Sequence, residues 1–300
     1  MQITKKIVGG IATILLCLPL FAKRQTNTPQ QNNNNIEKIV NASATPFKFE
    51  ILSDSTVEVK RDSSSYKKFK SISIPSKVRI GSNVYTVTRI GNSAFSTCNE
   101  LTSIKIPSSV TSIGRFALAY TKITSVTIPS SIKYIDEGAF YLNKELTNVE
   151  LPTGIDSIGI GAFACTKLTT VNIPASLTKL GNGVFGNIQT LTSINVSPEN
   201  PNYSSENGIL YDKKKTKLLS VPAGINENFV IPSSVISIDD GAALCCKKLT
   251  KLEIHAGVSD IGGHAFCGCE NLEIIIDNSK ENIKIGKVAF KECKSVTYTK

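Results

Sequence analysis

The residues closest to a metal-binding pattern are His264, Cys267 and Cys269. Imidazole and thiolate groups are the usual ligands of zinc in proteins. The spacing here, H-x-x-C-x-C, matches no established zinc pattern, and two of the three residues stand at positions that recur along the chain. The other histidine, His255, replaces a proline that ends similar segments, which suits a turn residue. We therefore expect neither a metal nor another cofactor.

Catalytic groups are equally scarce. A Ser-His-Asp or Cys-His arrangement would have to use His255 or His264, because the sequence has only two histidines. Neither lies in a nucleophile motif such as G-x-S-x-G, and no phosphate-binding glycine loop is present. Acidic pairs such as Asp239 and Asp240 are typical of turns. We predict that the chain is not an enzyme, and a hydrolase is the disfavoured alternative.

Cysteine is the one reactive residue type in quantity, with eight in the chain. One recurring position, three residues after a repeated phenylalanine position, holds Cys98, Cys246, Cys269 and Cys293, while Cys165 stands one residue earlier. Small buried thiols are the favoured interpretation. A disulfide between neighbours, Cys246 with Cys269 or Cys269 with Cys293, stays open. Cys245 and Cys267 lie off this column and are expected to be more exposed.

These positions recur because the sequence itself repeats. The pattern L-x-x-I-x-I-P returns along the chain, mostly at intervals of 22 or 23 residues. The repeats begin at Phe69, Leu101, Ile123, Leu146, Leu168, Leu191, Asn226, Leu249 and Leu272, with a stub from Val296. No single repeat can bury its apolar residues alone, so the repeats must stack. The prediction is a β-rich solenoid of about nine coils of 22–35 residues, with parallel strand ladders.

Each repeat predicts two short strands and a buried side chain. In "LTSIKIP", Leu101 and Ile104 face inward, and Pro107 ends the strand. "VTSIG" predicts the second strand, after which Gly114 permits a turn. A segment such as "GAF" then buries a ring at what we call the ring slot. This slot holds Phe95, Phe140, Phe163, Phe185, Phe266 and Phe290, with Leu118 and Ala243 in two repeats.

Two repeats are longer than the others. The Phe69 repeat carries an insertion around "RIGSNVYTV", and residues 198–222 of the Leu191 repeat predict a β-hairpin that projects from the solenoid. Upstream, residues 46–68 predict a β cap in which "FKFEILSDSTVEVK" forms a hairpin over the first coil. Such a cap protects strand edges that an open end would expose. The solenoid is assigned to residues 69–300.

The N-terminal residues predict export. Residues 1–22 have a basic start, an apolar stretch and a small residue at Ala22, which is the pattern of a secretory signal peptide. A membrane anchor is disfavoured because Pro19 interrupts a short apolar stretch. Lipidation at Cys17 is disfavoured because Leu16 precedes it where a small residue is expected. Residues 23–45 predict a disordered polar leader. We expect a secreted or cell-surface protein whose mature chain has no membrane span.

The charge pattern narrows the class of partner. The formal net charge is +10, and +8 once Lys5 and Lys6 leave with the signal peptide. The basic residues are scattered without regular aromatic neighbours, so we expect no nucleic-acid partner. Attraction to an acidic surface or glycan stays open. No stripe of exposed aromatic residues is evident in the sequence, which argues against a dedicated sugar-stacking site.

Recognition of a partner has to use side chains that packing leaves free. The outward positions of the first strand are Ser103, Lys105, Thr127, Asn148, Glu150, Asn172, Asn195, Lys251 and Glu253. A flat ladder of polar groups can hydrogen-bond to an extended partner, although it can also serve only to keep the sheet soluble. The predicted hairpin offers a second candidate contact through Tyr203, Tyr211, Lys213, Lys214 and Lys215.

The repeat motif, "LTSIKIPSSVTSIG" followed by segments such as "GAF", resembles the BspA-type leucine-rich repeat over roughly residues 47–300. The stretch "NPNYSSENGILYDKKKTKLLSVP" is similar to an insertion typical of that family. The resemblance implies a right-handed leucine-rich repeat coil and adhesion to extracellular or host-surface proteins. A structural or spacer role in a cell-envelope assembly is the alternative.

Overall fold

The computed structural model describes residues 39–62, 66–225 and 228–300. The predicted signal peptide and most of the polar leader, residues 1–38, lie outside these ranges. The described residues form a β-solenoid of about nine turns with parallel strand ladders, as the repeat predicts. Strands are numbered β1–β24 along the chain. Within the described ranges, three short 3-10 helices span Ala42–Ala44, Tyr66–Lys68 and Lys280–Asn282.

The first ladder is built from the strand that opens each repeat. Its strands are β4 (Ser71–Ser73), β7 (Ser103–Lys105), β9 (Ser125–Thr127), β11 (Asn148–Glu150), β13 (Thr170–Ile173), β15 (Ser193–Val196), β20 (Lys251–Ile254), β22 (Glu273–Ile276) and β24 (Ser295–Tyr298). All pairings within it are parallel. In β7 the centre, Ile104, is buried while both flanking side chains are exposed. Alternation therefore gives the solenoid one polar outer face, which we call the ladder face.

The second ladder follows the turn after each first strand. Its strands are β5 (Lys77–Ile80), β6 (Asn83–Ile90), β8 (Ser112–Ile113), β10 (Tyr134–Ile135), β12 (Ser157–Ile158), β14 (Lys179–Leu180), β18 (Lys217–Ser220), β19 (Ser237–Ile238), β21 (Asp260–Ile261) and β23 (Lys284–Ile285). Strands β6 to β14 stack in parallel, and so do β18 to β23. The insertion in the Phe69 repeat is the antiparallel pair β5 and β6.

The N-terminal end is closed by the expected hairpin. Strands β2 (Lys48–Ile51) and β3 (Thr56–Lys60) pair antiparallel, and β3 continues in parallel onto β6. Phe47 and Tyr66 are buried and contact the Phe95 ring at centroid distances of 6.1 and 5.2 Å. Strand β1 (Val40–Asn41), within the residues assigned to the polar leader, pairs with β5 and so belongs to the fold.

The insertion of the Leu191 repeat does not project from the solenoid, which corrects the prediction. Strands β16 (Tyr203–Glu206) and β17 (Ile209–Asp212) form a hairpin, but β17 also pairs antiparallel with β18 in the second ladder. Leu210 packs into the N-terminal hydrophobic core, while Ile209 and Tyr211 pack into the C-terminal one. A strand with apolar residues on both faces is stable only when both faces are covered. Strand β17 therefore separates two cores.

The ring slot forms a column through each core. Phe140, Phe163 and Phe185 stack nearly parallel, with centroids 5.1 and 6.2 Å apart. Leu118 and Ala243 occupy the slot in their repeats and are fully buried. Backbone hydrogen bonds join these segments from coil to coil, such as Phe140 N to Ala162 O at 2.8 Å. This third side of the solenoid is the turn face.

Two positions in each turn-face segment have positive φ, between 50° and 76°. The position two residues before the ring slot holds Ser93, Phe116, Gly138, Gly161, Gly183, Gly241, His264 and Val288. The position two residues after it holds Thr97, Tyr120, Leu142, Cys165, Asn187, Cys245, Gly268 and Glu292. Glycine tolerates this conformation, whereas an L-residue is destabilised there by about 1–2 kcal/mol. The glycine of "GAF" is thus a conformational requirement that several repeats do not meet.

Gly114 has a different role from the predicted one. Its φ is not positive, but a Cβ added there would lie 2.6 Å from Asn92 Oδ1 and 2.9 Å from Ile90 O. Close approach of the neighbouring coil, rather than a left-handed turn, therefore requires glycine at this position.

Substitutions at one turn-face position test the energetic effect of positive φ. Val288→Gly is expected to raise the free energy of unfolding by about 1 kcal/mol, because a β-branched residue at φ 50° becomes a glycine. Gly183→Val, at the same position of another repeat, is expected to lower it by about 1–2 kcal/mol. No atom lies within 4 Å of the added Cβ at Gly183, so a clash is not the cause. Urea unfolding measures both; shifts of the same sign would contradict the explanation.

Candidate functional site

The ladder face carries the predicted recognition residues. All nine side chains predicted from the outward positions, from Ser103 to Glu253, are exposed. Parallel pairing places Asn148 beside Ser125 and Asn172 beside Asn195, so equivalent residues form rows along the solenoid. The strands in such a row are about 4.8 Å apart.

Part of this face is organised by its own hydrogen bonds. The Asn195 side chain donates from Nδ2 to Asn172 Oδ1 at 3.1 Å. Ser193 Oγ donates to Asn195 Oδ1 at 2.7 Å. These contacts hold the amides of β13 and β15 in fixed orientations, which lowers the entropy cost of presenting them to a partner.

The charged residues of the face fall into two groups. Lys251 pairs with Glu253 at 2.8 Å, which raises the pKa of Lys251. Glu273 pairs with Lys294 at 2.8 Å, and this hydrogen bond lowers the pKa of Glu273. By contrast, within residues 39–62, 66–225 and 228–300 no ion pair involves Lys105 or Glu150. Those two charges are therefore available to an external partner.

The ladder face is interrupted between β15 and β20. The described residues of the Asn226 repeat contribute no strand to the first ladder, and Val230, in the outward position, is 88% exposed. An open cleft of about 740 Å³ lies at this break, with Phe229, Val230 and Ile209 among its lining residues. The row of outward polar groups is thus interrupted at this repeat, where Val230 is exposed and the cleft is lined by both apolar and polar residues.

Only some of the predicted hairpin residues are available for contact with a partner. Tyr211 is 2% exposed and packs into the C-terminal core, so the prediction that it is a surface contact is wrong. Tyr203 is half-buried, and its hydroxyl donates to Thr178 O at 3.3 Å. Lys213 donates to Pro198 O at 3.0 Å, and Lys215 pairs with Glu206 at 2.9 Å.

Lys214 is exposed, and it lies at the tip of a turn that the Asp212 carboxylate holds. Asp212 accepts hydrogen bonds from the backbone N–H groups of Thr216 and Lys217 at 2.6 and 2.7 Å. The lysine cluster therefore belongs mainly to the closure of the β17–β18 turn.

The column cysteines are packed into the cores as free thiols. Cys98, Cys246 and Cys269 are buried, and Cys269 Sγ donates to Ala243 O at 3.0 Å. Burial raises the pKa of Cys98 to about 11 and that of Cys293 to about 12. A protonated, enclosed thiol is a poor nucleophile. Cys245 and Cys267 are half-buried, which is more exposed than Cys98, Cys246 and Cys269 but similar to Cys293 of the column.

The structure does not gather the predicted His264, Cys267 and Cys269 into a metal site. His264 is exposed, whereas Cys269 points into the core. His255 closes a turn: its Nδ1 accepts from Gly257 N at 3.1 Å, so Nε2 is left to donate to Pro232 O, also at 3.1 Å. Among the described residues, no group of three or more His, Cys, Asp or Glu side chains is placed to hold a metal ion.

The turn face carries an aromatic cluster that the sequence did not reveal. Phe116, Tyr120 and Tyr141, from two successive repeats, form what we call the aromatic patch. Tyr141 meets Phe116 at 6.4 Å and Tyr120 at 5.6 Å, both edge-on. The sequence signal is Phe116 itself, which stands where four other repeats have glycine.

In the parts of the chain that the structure describes, no helix is long and apolar enough to cross a membrane.

Comparison of the sequence with protein-family models gives one match. The model described as "BspA type Leucine rich repeat region" matches in six copies, over residues 58–192 and 225–300. The gap between these ranges contains β17 and the rest of the insertion. A comparison with curated proteins gives no match.

Several solved bacterial proteins share the fold. The pneumococcal vaccine antigen PcpA is 19% identical with a TM-score of 0.69, covering 84% of this chain and 79% of its own. A leucine-rich repeat protein from Eubacterium ventriosum is 24% identical with a TM-score of 0.62, and the match covers 84% of this chain and 82% of that protein. A leucine-rich cell surface protein from Faecalibacterium prausnitzii is 21% identical with a TM-score of 0.55, and the match covers 85% of this chain and 93% of that protein.

Proposed function

Because the chain belongs to the BspA type leucine-rich repeat family, we propose that it is an exported binding module that attaches to extracellular or host-surface proteins through its ladder face. The signal-peptide pattern of residues 1–22 supports export. Two solved proteins of the same fold are described as a vaccine antigen and a cell surface protein, which agrees with a surface location. The module acts by binding, without catalysis.

The observation that carries this proposal is the pair of free charges on β7 and β11. Lys105 and Glu150 are exposed, and neither takes part in an ion pair within the described ranges. They lie two coils apart, about 10 Å along the ladder. Charges that neither pack nor pair inside the fold are suited to steer and orient a protein partner.

Binding to immobilised fibronectin, fibrinogen and other extracellular proteins tests the proposal by surface plasmon resonance. We expect saturable binding by the mature chain at physiological salt to at least one of them. The triple variant Lys105→Ala, Glu150→Ala, Glu253→Ala is expected to weaken it about tenfold or more, since each lost charge contact contributes roughly 0.5–1 kcal/mol or more at an interface.

The matched control is Lys284→Ala, Asp260→Ala, Glu281→Ala, which changes the net charge equally but lies away from the ladder face. Its affinity is expected to match that of the unmodified chain. If the Lys105, Glu150 and Glu253 triple variant bound with full affinity, the ladder face would not be the binding surface. Equal losses in both would indicate nonspecific charge attraction, which salt screens.

A further inference from the structure

The aromatic patch contains a side chain that the fold does not require. Tyr120 has φ 59° at the position where another repeat has Gly268, yet an L-residue is less stable than glycine in this conformation. Its side chain is 44% exposed, so burial does not offset that cost. Seven of the eight repeats have a non-glycine residue at this position, so the exposed aromatic ring, and not the strain, sets Tyr120 apart.

The neighbouring rings hold Tyr120 in place without covering it. Phe116 also has positive φ, and its ring lies over Gly138 of the next coil, where a Cβ would clash with it. Tyr141 meets both rings at angles above 80°. Since the rings meet edge-on, no closed stack forms over them. The patch therefore presents aromatic carbon on the turn face.

A cavity with a free cation adjoins the patch. It measures about 390 Å³, and its lining includes Leu142, Lys144, Cys165, Asn187 and Gln189. Leu142, which lines the cavity, directly follows Tyr141 of the patch in the chain, so the cavity lies next to the rings.

Lys144 is the charge that distinguishes this cavity. Lys167, on the same rim, pairs with Glu145 at 3.1 Å. For Lys144, by contrast, residues 39–62, 66–225 and 228–300 supply no ion pair. An exposed ammonium group without an internal counter-ion is free to attract an external anion.

We propose that the aromatic patch and the Lys144 cavity together bind a carboxylated pyranose of an extracellular glycan. The C–H face of a pyranose ring is apolar and carries partial positive charge, so it stacks on the negative face of an aromatic ring. A sugar carboxylate beside it would bind the Lys144 ammonium group by a charge-assisted hydrogen bond. This site lies on the turn face and is separate from the protein-binding surface of the ladder face.

Two oligosaccharides of matched length test the proposal on the mature chain. A hyaluronan hexasaccharide carries a carboxylate on every second sugar, whereas hexa-N-acetylchitohexaose, called chitohexaose below, is neutral. Calorimetry or chemical-shift titration is expected to show hyaluronan binding at least tenfold tighter than chitohexaose. Equal affinity would overturn the assignment to carboxylated sugars, and no binding of either would overturn the proposal.

Tyr120→Gly separates binding from folding. It is expected to leave the melting temperature unchanged or higher, because glycine suits φ 59°, and to weaken hyaluronan binding at least tenfold. Glu292→Gly makes the same backbone change at the equivalent position, outside the patch, and is expected to keep full affinity. Retained binding in Tyr120→Gly would overturn the proposal.

Lys144→Gln tests the charge. It is expected to reduce the preference for hyaluronan over chitohexaose at least threefold, and an unchanged preference would overturn the role of Lys144. Both variants leave the ladder face intact, so their protein binding is expected to persist. If Tyr120→Gly or Lys144→Gln loses glycan binding but keeps protein binding, the glycan site is separate from the ladder face. If the Lys105 triple variant loses protein binding but keeps glycan binding, the same separation is shown from the other side. The two proposals can therefore fail independently.

Discussion

Phe163→Ala is expected to lower the free energy of unfolding by about 4 kcal/mol, because the fully buried ring stacks on a phenylalanine in each neighbouring coil. Removing it leaves a cavity in the centre of the N-terminal core, and rows of short strands on either side limit how far the coils can collapse. The loss is measured by urea unfolding monitored by circular dichroism.

Two variants control for the position in the column. Phe163→Leu should cost only about 1–1.5 kcal/mol, since Leu118 already fills the ring slot of another repeat. Phe290→Ala should cost about 2 kcal/mol, because that ring is half-buried and has Phe266 on one side at 6.0 Å. Equal losses at Phe163 and Phe290 would contradict stacking as the cause.

Asn200→Ala is expected to cost about 3 kcal/mol, because one fully buried side chain makes four hydrogen bonds to backbone. Asn200 Nδ2 donates to Pro174 O at 2.8 Å and to Leu177 O at 3.0 Å. Its Oδ1 accepts from Asn202 N and Tyr203 N, both at 2.9 Å. The alanine variant leaves these groups unpaired and releases the start of β16 from the preceding coil.

Asn202→Ala is the matched control for this substitution. Asn202 is exposed, and its side chain makes a hydrogen bond to Thr178 O at 2.8 Å. We expect a loss of about 0.5–1 kcal/mol, as for a solvent-accessible hydrogen bond. Hydrogen exchange should show faster exchange of the Tyr203–Glu206 amides in Asn200→Ala but not in Asn202→Ala. Similar exchange in both would show that Asn200 does not anchor the insertion.

The sequence predicts the solenoid well because packing determines the residue type at most positions of each repeat. Period, strand ends and ring slot all follow from apolar residues that must meet their copies in the next coil. Leu118 and Ala243 were assigned to the ring slot for this reason, and both are buried. The ladder face follows from the same alternation, so the exposure of Lys105 and Glu150 could also be predicted.

The insertion and the aromatic patch could not be predicted in the same way. Alternation in "GILYD" fits an exposed hairpin as well as a buried strand, and no copy of it exists elsewhere to show which neighbours it meets. The rings of the patch come from three different offsets around the ring slot. They converge only because successive coils stack, which brings Tyr141 of one coil against Phe116 and Tyr120 of the coil before it.

The position of β17 has a mechanical consequence. Strands β16, β17 and β18 are consecutive in the chain and pair antiparallel with one another, whereas elsewhere the stacked coils are joined by parallel pairs. If tension pulled the two ends of the solenoid apart and broke these pairs, the segment Tyr203–Ser220 would unfold to a contour length of roughly 60 Å. The insertion would then lengthen as a joint between the two cores, each of which would lose the apolar side chains that β17 contributes.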